Sequence, residues 1–176
     1  MIETERLQLH SMDEVHLDGL VAMNADPEVM AHFPAALSPT ESEAQLRRMQ
    51  AHQKNNGFGY RALIRKSDSV FLGFAGLGYP GYETPFSPCV EIGWRLRRSA
   101  WGEGYAYEAA QACLDHGFGP LGLSEIVSFT TIGNTRSQNL MRRLGMISDP
   151  TENFEHPMLV IGHPLSWHVL YRLHRP

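Results

Sequence analysis

Gly102 and Gly104 stand between a strand pattern, Val90-Glu91-Ile92-Gly93-Trp94-Arg95-Leu96, and a helical pattern running from Gly104 to Phe118. Backbone N–H groups at such a turn, and in the first turn of the helix, have no internal acceptor. Together with the helix dipole they bind an anion. The two glycines carry no side chain to hold a phosphate away. Ala106, Ala110, Cys113 and Gly117 then fall along one face of the helix, so it can lie close to a sheet. The stretch predicts a phosphate site. A P-loop is excluded, because no Gly-Lys followed by Ser or Thr occurs. A dinucleotide fingerprint fails where Tyr107 replaces its third glycine, and Glu125 opens the next strand instead of ending it.

Other residue types near this turn can move protons. Glu91 lies on the strand between apolar Val90 and Ile92. It is read either as a base or as a solvated strand residue facing outward. Asn134 and Ser137 lie three apart at a predicted helix start and project from one face of its first turn. Either can cap that helix or meet a ligand. Glu108, near the start of its helix, is read as structural. Arg95, Arg97 and Arg98 form a basic run, read as a solvated face with at most one member meeting a phosphate. Nine histidines occur, but His156, His163, His168 and His174 have no metal-ligand spacing, so no metal is predicted. Phe33, Tyr82, Phe86 and Phe154 fall in loops or element ends, where they either line an entrance or pack beneath the loops.

The elements that would position these groups follow from pattern. Arg6 to His10 alternates as a strand. Asp13 to Asn24 suits a short helix, interrupted at Asp26-Pro27 with a further turn to His32. Ser38, Pro39 and Glu41 form a capping box with proline at the first helical position, opening a helix to about Gln53 that stops at Asn55-Asn56-Gly57. Phe58 to Arg65 and Val70 to Tyr79 make a hairpin. Pro80 to Pro88 is a loop. Val90 to Leu96 is the fourth strand, and Glu125 to Thr131 the fifth. Asn134 to Leu144 is a helix closed by Gly145. Met158 to Ile161 and His168 to Leu173 are the remaining strands. This order predicts an α/β (α+β) sheet flanked by helices.

The 176 residues suit one domain over 1–176, with 43% apolar residues, 19% charged residues and a net charge of −4. That balance gives no drive toward nucleic acid or an anionic membrane. There is no signal-peptide pattern and no membrane-length apolar run, so a cytoplasmic protein is expected. Cys89 and Cys113 are read as buried thiols. A twofold homodimer is the expectation from the commonness of that symmetry.

The chain resembles the GNAT superfamily of N-acetyltransferases, and in particular its RimJ/RimL-type branch. The resemblance rests on Thr4-Glu5-Arg6-Leu7, Glu91-Ile92-Gly93-Trp94, Trp101-Gly102-Glu103-Gly104-Tyr105-Ala106, Glu108-Ala109, Asn134-Thr135-Arg136-Ser137, Leu144-Gly145-Met146, Glu155-His156-Pro157 and His163-Pro164-Leu165. Gly104-Tyr105-Ala106 fits the second half of the superfamily's Gln/Arg-x-x-Gly-x-Gly/Ala loop. Trp101 departs from its first position, where the branch often has an aromatic. The resemblance implies the GNAT fold, a mostly antiparallel sheet splayed between the fourth and fifth strands. It implies transfer of acetyl from acetyl-CoA, as cosubstrate, to a primary amine in a ternary complex, without a metal. Trp101, Gly102, Gly104, Tyr105 and Ala106 would hold the pyrophosphate. Trp94 to Leu96 would pair with the pantetheine arm, and Asn134 would reach the same arm. Glu91 would be the base. Ser137 would be the acid, since Met141 stands where many relatives carry a tyrosine. The acceptor implied is a peptide N-terminal α-amine. A small amine (amino sugar, polyamine or amino acid) and a non-catalytic acyl-CoA-binding module are the alternatives.

Overall fold

The computed structural model describes all 176 residues. Its strands are β1 (Ile2–Glu3), β2 (Leu7–Ser11), β3 (Tyr60–Arg65), β4 (Phe71–Gly78), β5 (Glu91–Leu96), β6 (Glu125–Thr131), β7 (Phe154–Glu155) and β8 (Trp167–His174). Its helices are α1 (Leu17–Asn24), α2 (Pro39–Asn56), α3 (Tyr105–Phe118) and α4 (Thr135–Arg143). The strands form one sheet in the order β1-β2-β3-β4-β5-β6-β8-β7. Every neighbouring pair is antiparallel except β5 and β6, which are parallel. No helix is long and apolar enough to cross a membrane.

Local chemistry accounts for the helix ends. Ser38 accepts from the Glu41 N–H while Glu41 accepts from the Ser38 N–H, and Gly57 closes α2 at φ 77°. Asn134 caps α4 by accepting from the Ser137 N–H, and Gly145 follows at φ 82°.

The sheet is packed on both faces. Leu7, Leu9, Leu63, Leu77, Ile92 and Ile126 bury against Ala109, Ala110, Cys113 and Leu114 of α3. A Cβ on Gly117 would come within 2.6 Å of Ile126 Cδ1, so the close approach of α3 requires glycine there. The other face carries α1 and α2, whose Leu20, Met23, Leu46 and Met49 cover Ala62 and Phe74.

Three features differ from the sequence reading. Ile2–Glu3 adds a strand ahead of the predicted first one, so the predicted fourth and fifth strands are β5 and β6. Met158 to Ile161 is not a strand. Its apolar residues do not alternate, and Pro157 and Gly162 bound it. Turns close its backbone through Leu159 N–H to His156 O and His163 N–H to Val160 O. The pairing with β8 falls instead to Phe154–Glu155. Cys113 is buried, but Cys89 is only half-buried, and both are free thiols.

Candidate active site

β5 and β6 part company almost as soon as they meet. Their ladder holds one pair, Glu91 with Val127. β8 pairs with β6 along its whole length, from Glu125–His174 to Thr131–His168, and holds it away from β5. The last bonds across the gap are Val127 N–H to Val90 O and Ser128 Oγ to Ile92 O, both 2.9 Å. Beyond them lies a cleft of about 1300 Å³ that runs through the sheet.

The cleft's edge on β5 follows from strand alternation. Val90, Ile92, Trp94 and Leu96 turn their backbone groups toward β6, while Arg97 in the opposite phase donates to Leu72 of the β4 side. The Leu96 carbonyl is taken by the Trp101 indole N–H at 2.9 Å. The Trp94 N–H and C=O, in the same phase, have no partner across the gap.

At the mouth of the cleft on the α3 side is the glycine turn. Gly102 and Gly104 both have φ 81°, the left-handed region. The first backbone donor of α3 with an intramolecular acceptor is Glu108, which bonds Gly104 O. The N–H groups from Gly102 to Tyr107 therefore form an unpaired row at a helix N-terminus, a geometry suited to an anion. Arg136 stacks over Trp101 at 4.5 Å and Arg143 over Tyr107 at 4.8 Å, so two cations of α4 flank this row. Tyr105 turns its ring into the core beneath Arg6, leaving its backbone to the row.

Trp94, Leu96, Trp101, Gly102, Gly104, Tyr105, Ala106, Asn134, Glu91 and Ser137 all line this one cleft. The Asn134 amide donates to Thr130 Oγ1 at 2.9 Å and to Ser137 Oγ at 3.2 Å. Ser137 Oγ thus accepts and keeps its own hydrogen free. Met141, beside them, is buried and cannot donate.

Glu91 is not an outward-facing strand residue. It is half-buried on the α1/α2 side of the cleft, where Tyr60 Oη donates to Glu91 Oε1 at 3.0 Å. Burial pushes its carboxyl up to about 7, against the opposing effect of the Tyr60 hydrogen bond. Burial and then the Glu91 charge raise the Tyr60 hydroxyl well above the phenol range, so it stays a donor.

Further along the same wall, Tyr82 Oη lies 2.6 Å from His156 Nε2. His156 Nδ1 accepts from the Met158 N–H, so the neutral ring carries its hydrogen on Nε2, toward Tyr82. Burial, then neighbouring His168, lower His156 to about 4 and keep it neutral.

The basic run divides. Arg98 pairs with Glu28, Arg97 reaches the Phe71 carbonyl, and Arg95 bonds Asn24 of α1. Arg95 therefore lies on the opposite face of the sheet from the glycine turn and is half-buried, not on the solvated face read from the run. Of the four aromatic candidates, Phe33 and Tyr82 line the cleft. Phe86 and Phe154 pack edge-on with each other and with Phe129, beneath the loops. Glu108 accepts from Thr4 Oγ1, the Arg6 N–H and Arg6 Nε, a structural role that ties the chain's start to α3. Sequence reasoning missed Tyr60, Arg136 and Arg143. The only local signal for Tyr60 was glycine inside neighbouring strands.

A family model described as an acetyltransferase (GNAT) domain matches residues 6–147. The chain belongs to this family: it is a GNAT N-acetyltransferase, built to use acetyl-CoA. YkkB of Bacillus subtilis (strain 168) is 30% identical over 146 residues, 81% of this chain and 83% of YkkB. The FsC-acetyl coenzyme A-N(2)-transacetylase of Aspergillus fumigatus is 29% identical over 150 residues, 82% of this chain and 64% of that protein. Among solved structures, the acetyltransferase from Agrobacterium tumefaciens str. C58 superposes with a TM-score of 0.78 at 24% identity, covering 98% of this chain and 93% of that one. RimL, the ribosomal L7/L12 alpha-N-protein acetyltransferase in complex with coenzyme A, gives 0.77 at 16%, covering 97% and 95%. The spermidine N-acetyltransferase from Vibrio cholerae gives 0.76 at 16%, covering 98% and 97%. At these identities the structural likeness is one of fold.

Proposed function

We propose that the protein acetylates the N-terminal α-amine of a peptide by direct attack in a ternary complex, with Glu91 as the base. The observation that carries this reading is the Glu91 carboxyl, pushed up to about 7, in the cleft that also carries the unpaired N–H row. An α-amine has a pKa near ~8 and a lysine near ~10.4. A base close to 7 is matched to the first and is far from the second. The RimJ/RimL-type spacing of Asn134 to Ser137 and of Trp101 to Ala106 favours the same acceptor.

Acetyl-CoA, when bound, supplies the thioester carbonyl that the amine attacks. The Gly102, Gly104, Tyr105 and Ala106 amides hold its pyrophosphate, with Trp101 and Arg136 packed alongside. The Trp94 N–H and C=O receive the pantetheine arm as a neighbouring strand would. Leu96 contributes its N–H alone, because its carbonyl already binds Trp101. Asn134 orients Ser137, whose free hydroxyl hydrogen would protonate the CoA thiolate as it leaves. Glu91, steadied by Tyr60, takes the amine's proton directly or through a water.

The test is CoA release with N-terminal peptides, aminoglycosides and spermidine, for the native protein and for Ser137→Ala. Turnover confined to the peptides, slowed in Ser137→Ala with acetyl-CoA affinity kept, is the expected result. Turnover only of spermidine or aminoglycosides would overturn the peptide reading. Collapse of acetyl-CoA affinity in Ser137→Ala would make Ser137 a binding residue.

A further inference from the structure

Arg95 projects from β5 on the same face as Glu91, with Gly93 between them. Its guanidinium lies against the Phe33 ring at 4.0 Å and 5.4 Å from the Phe74 ring centroid. One of its five N–H donors is satisfied, by Asn24 Oδ1 at 2.7 Å. Its Nε is buried with no acceptor. No carboxylate lies within ion-pair distance. The nearby acids are engaged elsewhere, Glu28 with Arg98 and Glu91 with the Tyr60 hydroxyl.

A charge withdrawn from water without a counter-ion is costly to keep, and burial draws this guanidinium down to about 10. Yet the chain holds it in place. Asn24 is fully buried, and its amide donates to Ser42 Oγ at 3.0 Å and Gln45 Oε1 at 2.8 Å, which aims its carbonyl at Arg95. A packing role alone would not explain a fixed cation with free donors on the wall of a substrate cleft.

We infer that the amine acceptor carries a carboxylate apart from its amine, and that Arg95 receives that carboxylate. This inference rests on the reading of the cleft as an amine-acetylation site with Glu91 at the amine. Glu91 and Arg95 are four residues apart on one strand, about 13 Å between Cα atoms. The Glu91 carboxyl meets the Tyr60 hydroxyl over Gly93, whereas the Arg95 guanidinium is held by Asn24 against the Phe33 and Phe74 rings. The separation exceeds that between the amine and carboxylate of a single α-amino acid. It suits an extended peptide with Asp or Glu at its second or third position, at about 3.3–3.6 Å per residue. The site's own layout, carboxylate at one end and cation at the other, is then complementary to the acceptor's.

The test uses matched acceptor pairs. Hexapeptides differ only by Asp or Asn at the second or third position, and 6-aminohexanoate is set against its amide. The native protein, Arg95→Gln and Arg95→Lys are compared by kcat/KM. The native protein should prefer the acidic member of a pair roughly ten- to a hundredfold, as a charge-assisted hydrogen bond gives. Arg95→Gln should bring the ratio near one, and Arg95→Lys should restore part of it. Equal turnover of both members by the native protein, or a preference that survives in a folded Arg95→Gln, would overturn the inference. The native ratio decides the matter even if Arg95→Gln does not fold. Neutral amines acetylated with no gain from a carboxylate would refute the Arg95 role and leave amine acetylation standing. No CoA release from any amine would remove both.

Discussion

The Tyr60 hydroxyl reaches from β3 past β4 to donate to Glu91 Oε1 on β5 at 3.0 Å. Two glycines make the crossing possible. A Cβ on Gly78 would stand 3.3 Å from the Tyr60 ring, and one on Gly93 would stand 2.9 Å from its hydroxyl. The pair sets the protonation of the cleft. Burial raises Glu91, and the Tyr60 hydrogen bond offsets part of that rise by favouring the charged form.

Glu91→Gln should lower kcat about a hundredfold or more at pH 7.5, the scale of a lost general base. The native rate should climb as pH approaches about 7, where Glu91 loses its proton, and this limb should vanish in the variant. Stability carries the opposite sign. Because the folded pKa lies above the unfolded one, the folded state binds the proton more tightly. That contribution is complete below the unfolded pKa and is lost as pH rises through about 7. Glu91→Gln should therefore melt at a higher temperature than the native protein at pH 8, and near the native temperature at pH 4. A native rate with no limb near 7 would refute Glu91 as base.

Tyr60→Phe removes the group that favours the Glu91 carboxylate. The pH–rate limb should move upward. Activity at pH 6.5 should fall about three- to tenfold while activity at pH 9 stays closer to native. A uniform fall at every pH would mean that Tyr60 acts by packing instead of on the Glu91 charge.

The order of elements is legible because short-range chemistry fixes it. Ser38, Pro39 and Glu41 start α2 without help from the rest of the chain, and Gly102 and Gly104 supply φ values that few other residues tolerate. Much of the candidate site was legible for the same reason, since the N–H row is a local feature of one turn. Met158 to Ile161 misled because apolar content alone does not specify a strand, and pairing partners are set by tertiary contacts. Tyr60 was not legible as a cleft residue, and Arg95 was read only as part of a basic run. Their placement depends on which face of the sheet each strand turns toward α1 and α2, and on glycines in neighbouring strands that make room.

Gly104→Val should cost acetyl-CoA binding by about tenfold or more. At φ 81° a β-branched residue is strained by roughly 1–2 kcal/mol. Its side chain would also project into the mouth of the cleft beside the exposed Arg6 side chain, 3.4 Å from its Nη2 at the Cβ. Relief of the strain moves the Gly102 to Tyr107 amides out of register. Calorimetric titration with acetyl-CoA reads the loss directly. Native-like affinity in a folded variant would place the pyrophosphate away from this turn.

Glu108 gathers the start of the chain onto α3, and the pH dependence of that strap has a definite sign. One oxygen accepts from Thr4 Oγ1 at 2.6 Å and the Arg6 N–H at 2.7 Å, and the other from Arg6 Nε at 2.7 Å. Burial would raise this carboxyl, but the bonds from Thr4 and Arg6 outweigh it and hold it below the ordinary range. A depressed pKa adds stability that is present above the unfolded value and lost as pH falls through the folded one. Glu108→Ala should destabilise the protein by about 0.5–1.5 kcal/mol at pH 7, because the part-buried Thr4 hydroxyl loses its acceptor while the exposed Arg6 donors turn to water. The gap between variant and native should narrow as pH drops toward 3. Denaturant melts at pH 7 and pH 3.5 measure it. Acetyl-CoA affinity is a second readout, since Arg6 Nη1 also holds the Glu103 carbonyl at 2.9 Å beside Gly104. A stability gap that stays constant with pH would show that Glu108 acts there by its bulk and not by its charge.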